Sequence, residues 1–295
     1  MEYIDKKKGK KWAHPLLLSF LNRCQKYSPY PADLYDTMKS DVDPDTNANP
    51  GRESTYKRLL TGILDESNGG AGIGHCCYCM RTISASGTHS TLEHVIPNKT
   101  PDQKEYNRYY SVPSNLEKDE HVMVFKEVFL SRHKASAPPF PHNVAYENLV
   151  ASCDGCLPKG SLQHICCNNP RGDHYIPPFM FMSNIHDEFV YKAESGLVIW
   201  KSNPHLDRRE RTRVVNNELN LNCDILRMIR RIWCFLAEND LDCVLPQEER
   251  RRIIDTLRPR FPLGNDRELI QNFVQDQYWL LLEDYRYFND KNKFS

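Results

Sequence analysis

The sequence predicts an α+β protein in which a cysteine-rich segment, stabilised by a bound metal, lies between two helical regions. Hydrophobic residues recur with the period of an α-helix before residue 67 and again after residue 204. Between them, residues 68–203 combine short apolar strands with many cysteines, histidines, prolines and asparagines. Seven of the eleven cysteines fall in two short windows, 76–79 and 153–167, which is typical of metal ligands rather than of scattered core residues.

Composition and charge restrict the class of protein. The chain has 295 residues, 40% of them hydrophobic, which is enough for one substantial core and a second, smaller one. Its 39 basic residues balance 39 acidic residues, so any site for a polyanion must be local rather than spread over the surface. The apolar run LLLSFL near the N terminus is too short to span a bilayer, and no cleavage signature follows it. We therefore expect a cytoplasmic protein with no membrane segment.

The first region, residues 1–67, is predicted to be helical. Its apolar run indicates an amphipathic helix near the N terminus. A second helix follows a breaker-rich loop, with Ser54 in position for an N-cap. The apolar residues of this second helix repeat at helical spacing, at Tyr56, Leu59, Leu60, Ile63 and Leu64.

The central region, residues 68–203, is predicted to contain short strands and a long insertion. The segments TLEHVI and ENLVAS are the two apolar strands next to the cysteine windows. Residues 97–145 lie between them and are interpreted as an insertion with a helix around EHVMVFKEVFLSRH. Residues 189–200 predict a β-hairpin with Gly196 at its bend.

The last region, residues 204–295, returns to a helical period and is predicted to be packing structure. Two stripes of apolar residues mark its helices. The first stripe comprises Ile225, Leu226, Ile229, Ile232, Trp233 and Leu236, and the second comprises Leu269, Ile270, Phe273 and Val274. The cysteines outside the two windows are expected to fill core positions; they are Cys24, Cys223, Cys234 and Cys243.

The two cysteine windows predict a structural zinc site. Cys76 and Cys79 have the spacing of a zinc knuckle, a short turn that presents two sulfurs to one ion. The second pair of ligands comes from among Cys153, Cys156, Cys166 and Cys167. One tetrahedral ion would join the two windows and supply on the order of 10 kcal/mol of folding free energy to a segment with little apolar core. The alternative of buried free thiols fits the clustering less well.

A carboxylate and an imidazole follow the first cysteine window. Glu93 and His94 end the predicted strand TLEHVI and precede Pro97, at a junction between strand and loop where reactive groups are often held. Asn148 and Asn168 accompany the second cysteine window. A Glu-His pair is a weak signal on its own, so the surrounding motifs decide its interpretation.

The order of these motifs resembles the HNH nuclease family in its zinc-bound form. The shared features are a Cys-x-x-Cys, an acid-His pair before a proline, Asn-Leu-Val five residues before a cysteine, and Cys-Asn-Asn followed by an arginine and a glycine. The resemblance implies a ββα-metal finger in which His94 is the general base and Asn148 holds the loop that orients it. It also implies that Glu93 and Asn168 bind a catalytic Mg²⁺ or Mn²⁺, and it makes Arg171 a candidate contact of a phosphate. The alternative for Arg171 is an exposed, solvated side chain.

These residue types suit the hydrolysis of a phosphodiester. The reaction needs a base that activates water and a cation that neutralises charge on the phosphate and on the leaving oxygen. An imidazole is well suited to be the base near neutral pH. Carboxylate and amide oxygens favour magnesium or manganese whereas thiolates favour zinc, so the two metals are expected to occupy separate sites.

The second cysteine window departs from the compact HNH motif. There the second Cys-x-x-Cys is followed directly by the metal-binding asparagine, but here it is followed by Leu157, which cannot bind magnesium. We therefore interpret residues 157–166 as an insertion and predict Cys153 and Cys167 as the second zinc pair, because only Cys167 precedes an asparagine. The alternative ligands are Cys156 and Cys166.

Over most of the chain, to about residue 235, the sequence also resembles the PtuB family, the HNH endonucleases of Septu-type antiphage defence that also occur with some retrons. The resemblance rests on MEYI and the lysines after it, and on CCYC, EHVIP, CNNPRGD and LNLNCDILRMIRR. It implies a PtuA-type ATPase partner with an ABC or SMC-like fold, with DNA as the expected substrate. Residues 1–67, with their lysine-rich start, are then a candidate docking segment for that partner, and the C-terminal helices are the alternative.

Two other functions are consistent with the same residues. In the first, the chain is a zinc-stabilised nucleic-acid-binding or adaptor subunit without activity, in which Glu93 and His94 are structural. In the second, Cys77 is the nucleophile of a Cys-His enzyme. The second is the weaker hypothesis, because a cysteine between two zinc ligands is more often a packing residue than an activated thiolate.

Overall fold

The computed structural model describes residues 1–24, 34–41, 53–68, 72–87, 89–97, 143–156, 165–174, 176–182, 184–201, 206–260, 266–275, 279 and 282. The α-helices are α1 (Lys6–Cys24), α2 (Leu34–Ser40), α3 (Thr55–Asn68), α4 (Asn168–Arg171), α5 (Ile185–Glu188), α6 (Arg208–Arg213), α7 (Asp224–Glu238), α8 (Gln247–Leu257) and α9 (Asp266–Val274). The strands are β1 (Ile73–His75), β2 (Thr82–Ser84), β3 (Ser90–His94), β4 (Leu149–Cys153), β5 (Phe189–Tyr191) and β6 (Val198–Trp200). Short 3-10 helices lie at Tyr146–Asn148, Phe179–Phe181 and Arg258–Arg260, and a π-helical turn lies at Val214–Glu218.

The strands form separate antiparallel pairs, β1 with β2, β3 with β4 and β5 with β6. A pair of short strands buries too little apolar surface to be stable alone, so each pair depends on helices or on a metal. The described residues therefore combine helices with small antiparallel strand pairs. This confirms the α+β prediction.

Helix α3 begins and packs as its sequence predicts. The hydroxyl of Ser54 accepts the N–H of Lys57 at 3.2 Å, so Ser54 is the N-cap. The apolar stripe of the helix is buried at Leu59, Leu60, Ile63 and Leu64. This face contacts α1, α2 and β1, and so joins the N-terminal helices to the cysteine-rich segment.

Helix α1 forms over the predicted apolar run and reaches the turn that leads into β4. The ammonium of Lys6 is buried and donates to the carbonyl of Leu149 at 2.5 Å. His14 Nε2 lies 2.7 Å from a carboxylate oxygen of Glu147. Gly9 allows this close approach, because a Cβ at that position would lie 2.0 Å from the Tyr146 hydroxyl. The N-terminal helix is thus attached to the polypeptide that carries Asn148.

The C-terminal half forms the predicted hairpin and helices. Strands β5 and β6 pair around a turn in which Gly196 has φ +64°, where a Cβ would lie 2.1 Å from the carbonyl oxygen of Arg227. In α7 the predicted stripe is buried, and in α9 the side chains of Ile270, Phe273 and Val274 are buried. Of the scattered cysteines, Cys24, Cys223 and Cys234 are buried and Cys243 is partly buried.

Some predictions fall on other parts of the chain. The helix around EHVMVFKEVFLSRH and nearly all of the insertion at 97–145 lie outside the described residues, as does most of the insertion at 157–166. Among the helices that are described, none combines the length and the apolar character needed to cross a membrane.

Candidate metal centre and adjoining polar cluster

Four buried cysteines meet in one cluster. The sulfurs of Cys76, Cys79, Cys153 and Cys167 lie within 4.8 Å of one another. The Cys79 and Cys153 sulfurs are 3.9 Å apart. A tetrahedral zinc ion with Zn–S bonds of about 2.3 Å places its sulfurs about 3.8 Å apart. The donor set and its spacing therefore fit a structural zinc ion, and the four cysteines are those that the sequence predicted.

The first two ligands are presented by the turn between β1 and β2. The N–H of Cys76 donates to the carbonyl of Arg81 at 2.8 Å, and the N–H of Met80 donates to the carbonyl of Cys76 at 3.0 Å. Met80 has φ 65°, an uncommon conformation for a residue other than glycine, which lets the chain turn back sharply after Cys79. The two knuckle sulfurs are thereby held within the same cluster.

The other two ligands are joined by a backbone contact that we call the neck, between Gly155 and Cys166. The N–H of Cys166 donates to the carbonyl of Gly155 at 2.9 Å. Gly155 has φ +77°, and a Cβ there would lie 2.0 Å from the Cys166 carbonyl oxygen, so this position requires glycine. The neck sets Cys153, at the end of β4, beside Cys167, which precedes α4.

The remaining cysteines of the two windows lie outside the cluster of four. Cys156 is exposed, and its sulfur accepts from the side-chain amide of Asn169 at 3.5 Å. Cys166 is buried with its sulfur 3.5 Å from that of Cys167. Cys77 is also buried, and its backbone N–H donates to the carbonyl of Ala151 at 3.0 Å.

The protein environment lowers the pKa of some thiols of the cluster and raises the pKa of others. Hydrogen bonds from Cys166 and its neighbours hold the pKa of Cys153 well below its ordinary value. Burial raises the pKa of Cys76 and of Cys167. Four adjacent thiolates repel one another, so full ionisation of the set needs a cation to balance it.

The opposite end of the β3–β4 pair gathers three predicted site residues. In the antiparallel register His94 lies opposite Leu149, directly after Asn148 in the chain. The Asn148 side chain accepts the N–H of Ile96 at 2.7 Å and donates to the Ile96 carbonyl at 3.0 Å. These two bonds tie Asn148 to the segment that follows Glu93 and His94.

Glu93 is buried against a charged partner in α4. Its carboxylate is in contact with the guanidinium of Arg171, and only 7% of Glu93 is exposed. Burial raises the pKa of Glu93 to about 7, although the neighbouring Arg171 lowers it. Among the described residues, the polar partner of this carboxylate is Arg171 and not Asn168. Asn168 is the first residue of α4 and is partly exposed.

Arg171, the candidate phosphate contact, is not a surface residue in this arrangement of the chain. Its side chain is fully buried. Besides Glu93, the guanidinium donates to the carbonyls of His94 and Val95 at 2.5 Å each and to the Tyr78 hydroxyl at 3.2 Å. The physical reason is charge: a buried carboxylate requires a nearby cation, and Arg171 supplies it.

His94 is buried beside residues that the sequence did not connect with it. Its Nε2 lies 2.8 Å from the carbonyl of Asn143, and its ring packs edge-on against Tyr35 with 4.4 Å between ring centres. The Tyr35 hydroxyl in turn donates to the carbonyl of Leu92 at 2.7 Å. Tyr35 comes from α2, far from His94 in sequence, and no local pattern indicated that it would reach the site.

Arg81 is a further buried residue at the cluster, and its sequence pattern did not indicate a role. It is 4% exposed, and its Nε lies 3.5 Å from the sulfur of Cys79. Its position two residues after a knuckle cysteine was the only signal in the sequence.

Comparisons with protein-family models, with curated proteins and with solved structures found no match to this chain.

Proposed function

We propose that this chain is a metal-dependent HNH endonuclease that hydrolyses phosphodiester bonds of DNA in antiphage defence, together with a PtuA-type ATPase. One observation carries the proposal. Glu93, His94 and Asn148 meet at one end of the β3–β4 pair, and the other end of the same pair enters a four-cysteine cluster that fits zinc. A zinc-held support with an acid, an imidazole and an amide at its edge is the arrangement that the resemblance to HNH nucleases implies.

In this proposal His94 is the general base. A carbonyl oxygen only accepts hydrogen bonds, so the Nε2 that faces the Asn143 carbonyl carries the proton. The lone pair of the neutral ring is then on Nδ1, which is the atom that would take a proton from water. The contacts of Tyr35 and Asn143 fix the plane of the ring, and Asn148 fixes the backbone that follows it.

The catalytic Mg²⁺ or Mn²⁺ is assigned to the Glu93 carboxylate and the Asn168 amide, because both offer hard oxygen donors. Such an ion would neutralise charge on the phosphate and on the leaving oxygen. The present arrangement of these side chains does not fit that ion, because the guanidinium of Arg171 occupies the carboxylate.

The second candidate is a zinc-stabilised binding or adaptor subunit without catalytic activity. The observation that favours it is that Glu93, His94 and Asn148 all contact other groups of the protein. Groups that are fully engaged inside a fold can be retained for stability alone.

A cleavage assay with matched histidine variants separates the two. Purified chain, with and without a PtuA-type ATPase, is incubated with plasmid DNA and with RNA in magnesium, manganese or EDTA. We expect His94→Ala to lose about a hundredfold or more of the cleavage rate, because a positioned general base contributes about that much. His89→Ala is the control. His89 directly precedes strand β3, which carries His94, but its side chain is 68% exposed and pairs with Asp154.

The zinc content of each variant is measured alongside cleavage. Loss of cleavage by His94→Ala with wild-type zinc content, and full activity of His89→Ala, would support the nuclease. Equal cleavage by His94→Ala and the wild type would contradict the role of His94. A zinc-loaded wild type that cuts neither nucleic acid in any metal, with the ATPase present, would favour the adaptor.

A further inference from the structure

Arg81 is a buried arginine whose side chain faces sulfur instead of a carboxylate. It is 4% exposed, and its Nε–H points at the sulfur of Cys79 at 3.5 Å. Arg171, which is similarly buried, pairs with Glu93. Within the described part of the chain Arg81 has no carboxylate in an ion pair, and the groups whose charge acts on its guanidinium are cysteines at the cluster.

The position of Arg81 is fixed by the turn that presents the ligands. Its carbonyl accepts the N–H of Cys76 at 2.8 Å, and β2 begins at the next residue, Thr82. Arg81 therefore contacts both ligands of the first pair, Cys76 through the main chain and Cys79 through the guanidinium. The side chain has little freedom to face elsewhere, because it is enclosed at this point.

The charge of the cluster accounts for an arginine at this position. Four thiolates around one Zn²⁺ carry a net charge of about −2, and all four ligands are buried. An uncompensated charge in a protein interior is costly, and groups around a metal centre commonly orient its ligands and tune its affinity. A guanidinium in contact with a ligand sulfur offsets one unit of this charge and donates a hydrogen bond to the thiolate.

We propose that Arg81 is an outer-sphere partner of the metal centre, which orients the Cys79 thiolate and balances part of the charge of the four-sulfur site. Arg81 is a positioning residue because it acts on the ion through Cys79. The inference does not depend on the proposed nuclease activity, since it concerns the affinity of the chain for zinc.

The test is a set of substitutions that separate charge from hydrogen bonding. Arg81→Met removes both, Arg81→Gln keeps a donor without the charge, and Arg81→Lys keeps the charge. Zinc affinity of the full chain is measured by competition with a chelating indicator. We expect Arg81→Met to bind zinc about 10- to 100-fold more weakly than the wild type, as for other outer-shell partners. The zinc affinity of Arg81→Gln should be close to that of Arg81→Met. The zinc affinity of Arg81→Lys should lie between those two variants and the wild type.

A matched control accounts for the general effect of losing a buried arginine. Arg231 is 6% exposed and interacts with Cys234, which is outside the cluster. Arg231→Met should leave zinc affinity within about twofold of the wild type even where stability falls. The absorption spectrum of the Co²⁺-substituted protein reports whether four sulfurs still surround the metal in each variant.

Weak zinc binding by Arg81→Met and Arg81→Gln, with a tetrahedral four-sulfur cobalt spectrum, would support the proposal. Wild-type zinc affinity in Arg81→Met would overturn it, and so would wild-type affinity in Arg81→Gln, because the charge would then be unnecessary. If Arg81→Met does not fold, Arg81→Gln and Arg81→Lys decide the question, because the proposal requires the lysine variant to bind zinc more tightly than the glutamine variant.

Discussion

The two ends of the β3–β4 pair differ in how their polar groups are balanced. At one end Cys153 lies opposite Ser90 and joins a cluster of buried sulfurs. At the other end His94 lies opposite Leu149, and the neighbouring Glu93 pairs with Arg171. Four thiolates are like charges that only cations can balance, whereas the polar end pairs an anion with a cation of the same chain.

Because of this difference, the two ends depend on different conditions. The metal end depends on the supply of an ion, and Arg81 can offset only part of its charge. The polar end depends on pH and on the buried pair of Glu93 and Arg171, because its charges belong to the protein. We expect changes at the metal end to act first on metal content, and changes at the polar end to act first on stability and its dependence on pH.

The largest effect is expected from loss of a sulfur ligand. Cys167→Ser should lose its zinc and most of the stability that the ion supplies, which is on the order of 10 kcal/mol for a structural site. Cys156→Ser and Cys166→Ser should keep one zinc per chain, since these cysteines lie outside the cluster of four. Metal analysis and thermal unfolding followed by circular dichroism measure both quantities. Retention of zinc by Cys167→Ser, with loss from Cys156→Ser, would move the second ligand pair to Cys153 and Cys156.

A smaller effect is expected at the polar end from loss of Arg171. Arg171→Met would leave the Glu93 carboxylate buried without its cation and the carbonyls of His94 and Val95 without this donor. Breaking a buried pair in this way costs about 3–5 kcal/mol. Urea unfolding of the zinc-loaded protein measures this cost, and Arg208→Met, at an exposed position, is the control. A cost below about 1 kcal/mol would mean that the pair is not the main support of this end.

The smallest effect is a difference in pH dependence caused by Glu93. Its pKa is raised from 4.5 to about 7, so the folded state holds this proton more tightly than the unfolded chain does. The resulting stability is fully present below pH 4.5 and is lost as the pH rises through about 7.

Glu93→Gln removes this titration while it keeps the size of the side chain. Between about pH 5 and about pH 8 the wild type should lose about 2–3 kcal/mol of unfolding free energy relative to Glu93→Gln. Denaturant unfolding across this pH range measures the two slopes, and the titration of the cysteines is common to both proteins. Parallel slopes would show that Glu93 ionises in the folded protein as it does in the unfolded chain.

Local patterns in the sequence were sufficient for much of the fold. The N-cap at Ser54, the turn at Gly196 and the apolar stripe of α7 depend on residues close in sequence, and all were predicted. The four sulfur ligands were also predicted, because thiols grouped in two short windows are typical of a metal site and uncommon in a packed core.

The environment of the polar end could not be predicted in the same way. Whether Arg171 is exposed or buried depends on Glu93, which is 78 residues away in sequence, and no periodicity relates the two. The same holds for the contact of Tyr35 with His94 and for the buried ammonium of Lys6. A charged or aromatic residue has no sequence signal for burial when its partner comes from another part of the chain.

The neck between Gly155 and Cys166 makes the second ligand pair depend on a residue that offers no ligand atom. It brings the chain together at one backbone hydrogen bond, with Cys153 two residues before Gly155 and Cys167 directly after Cys166. Any side chain at residue 155 would meet the Cys166 carbonyl, next to the ligand Cys167. The spacing of the four sulfurs is thus set in part by a glycine.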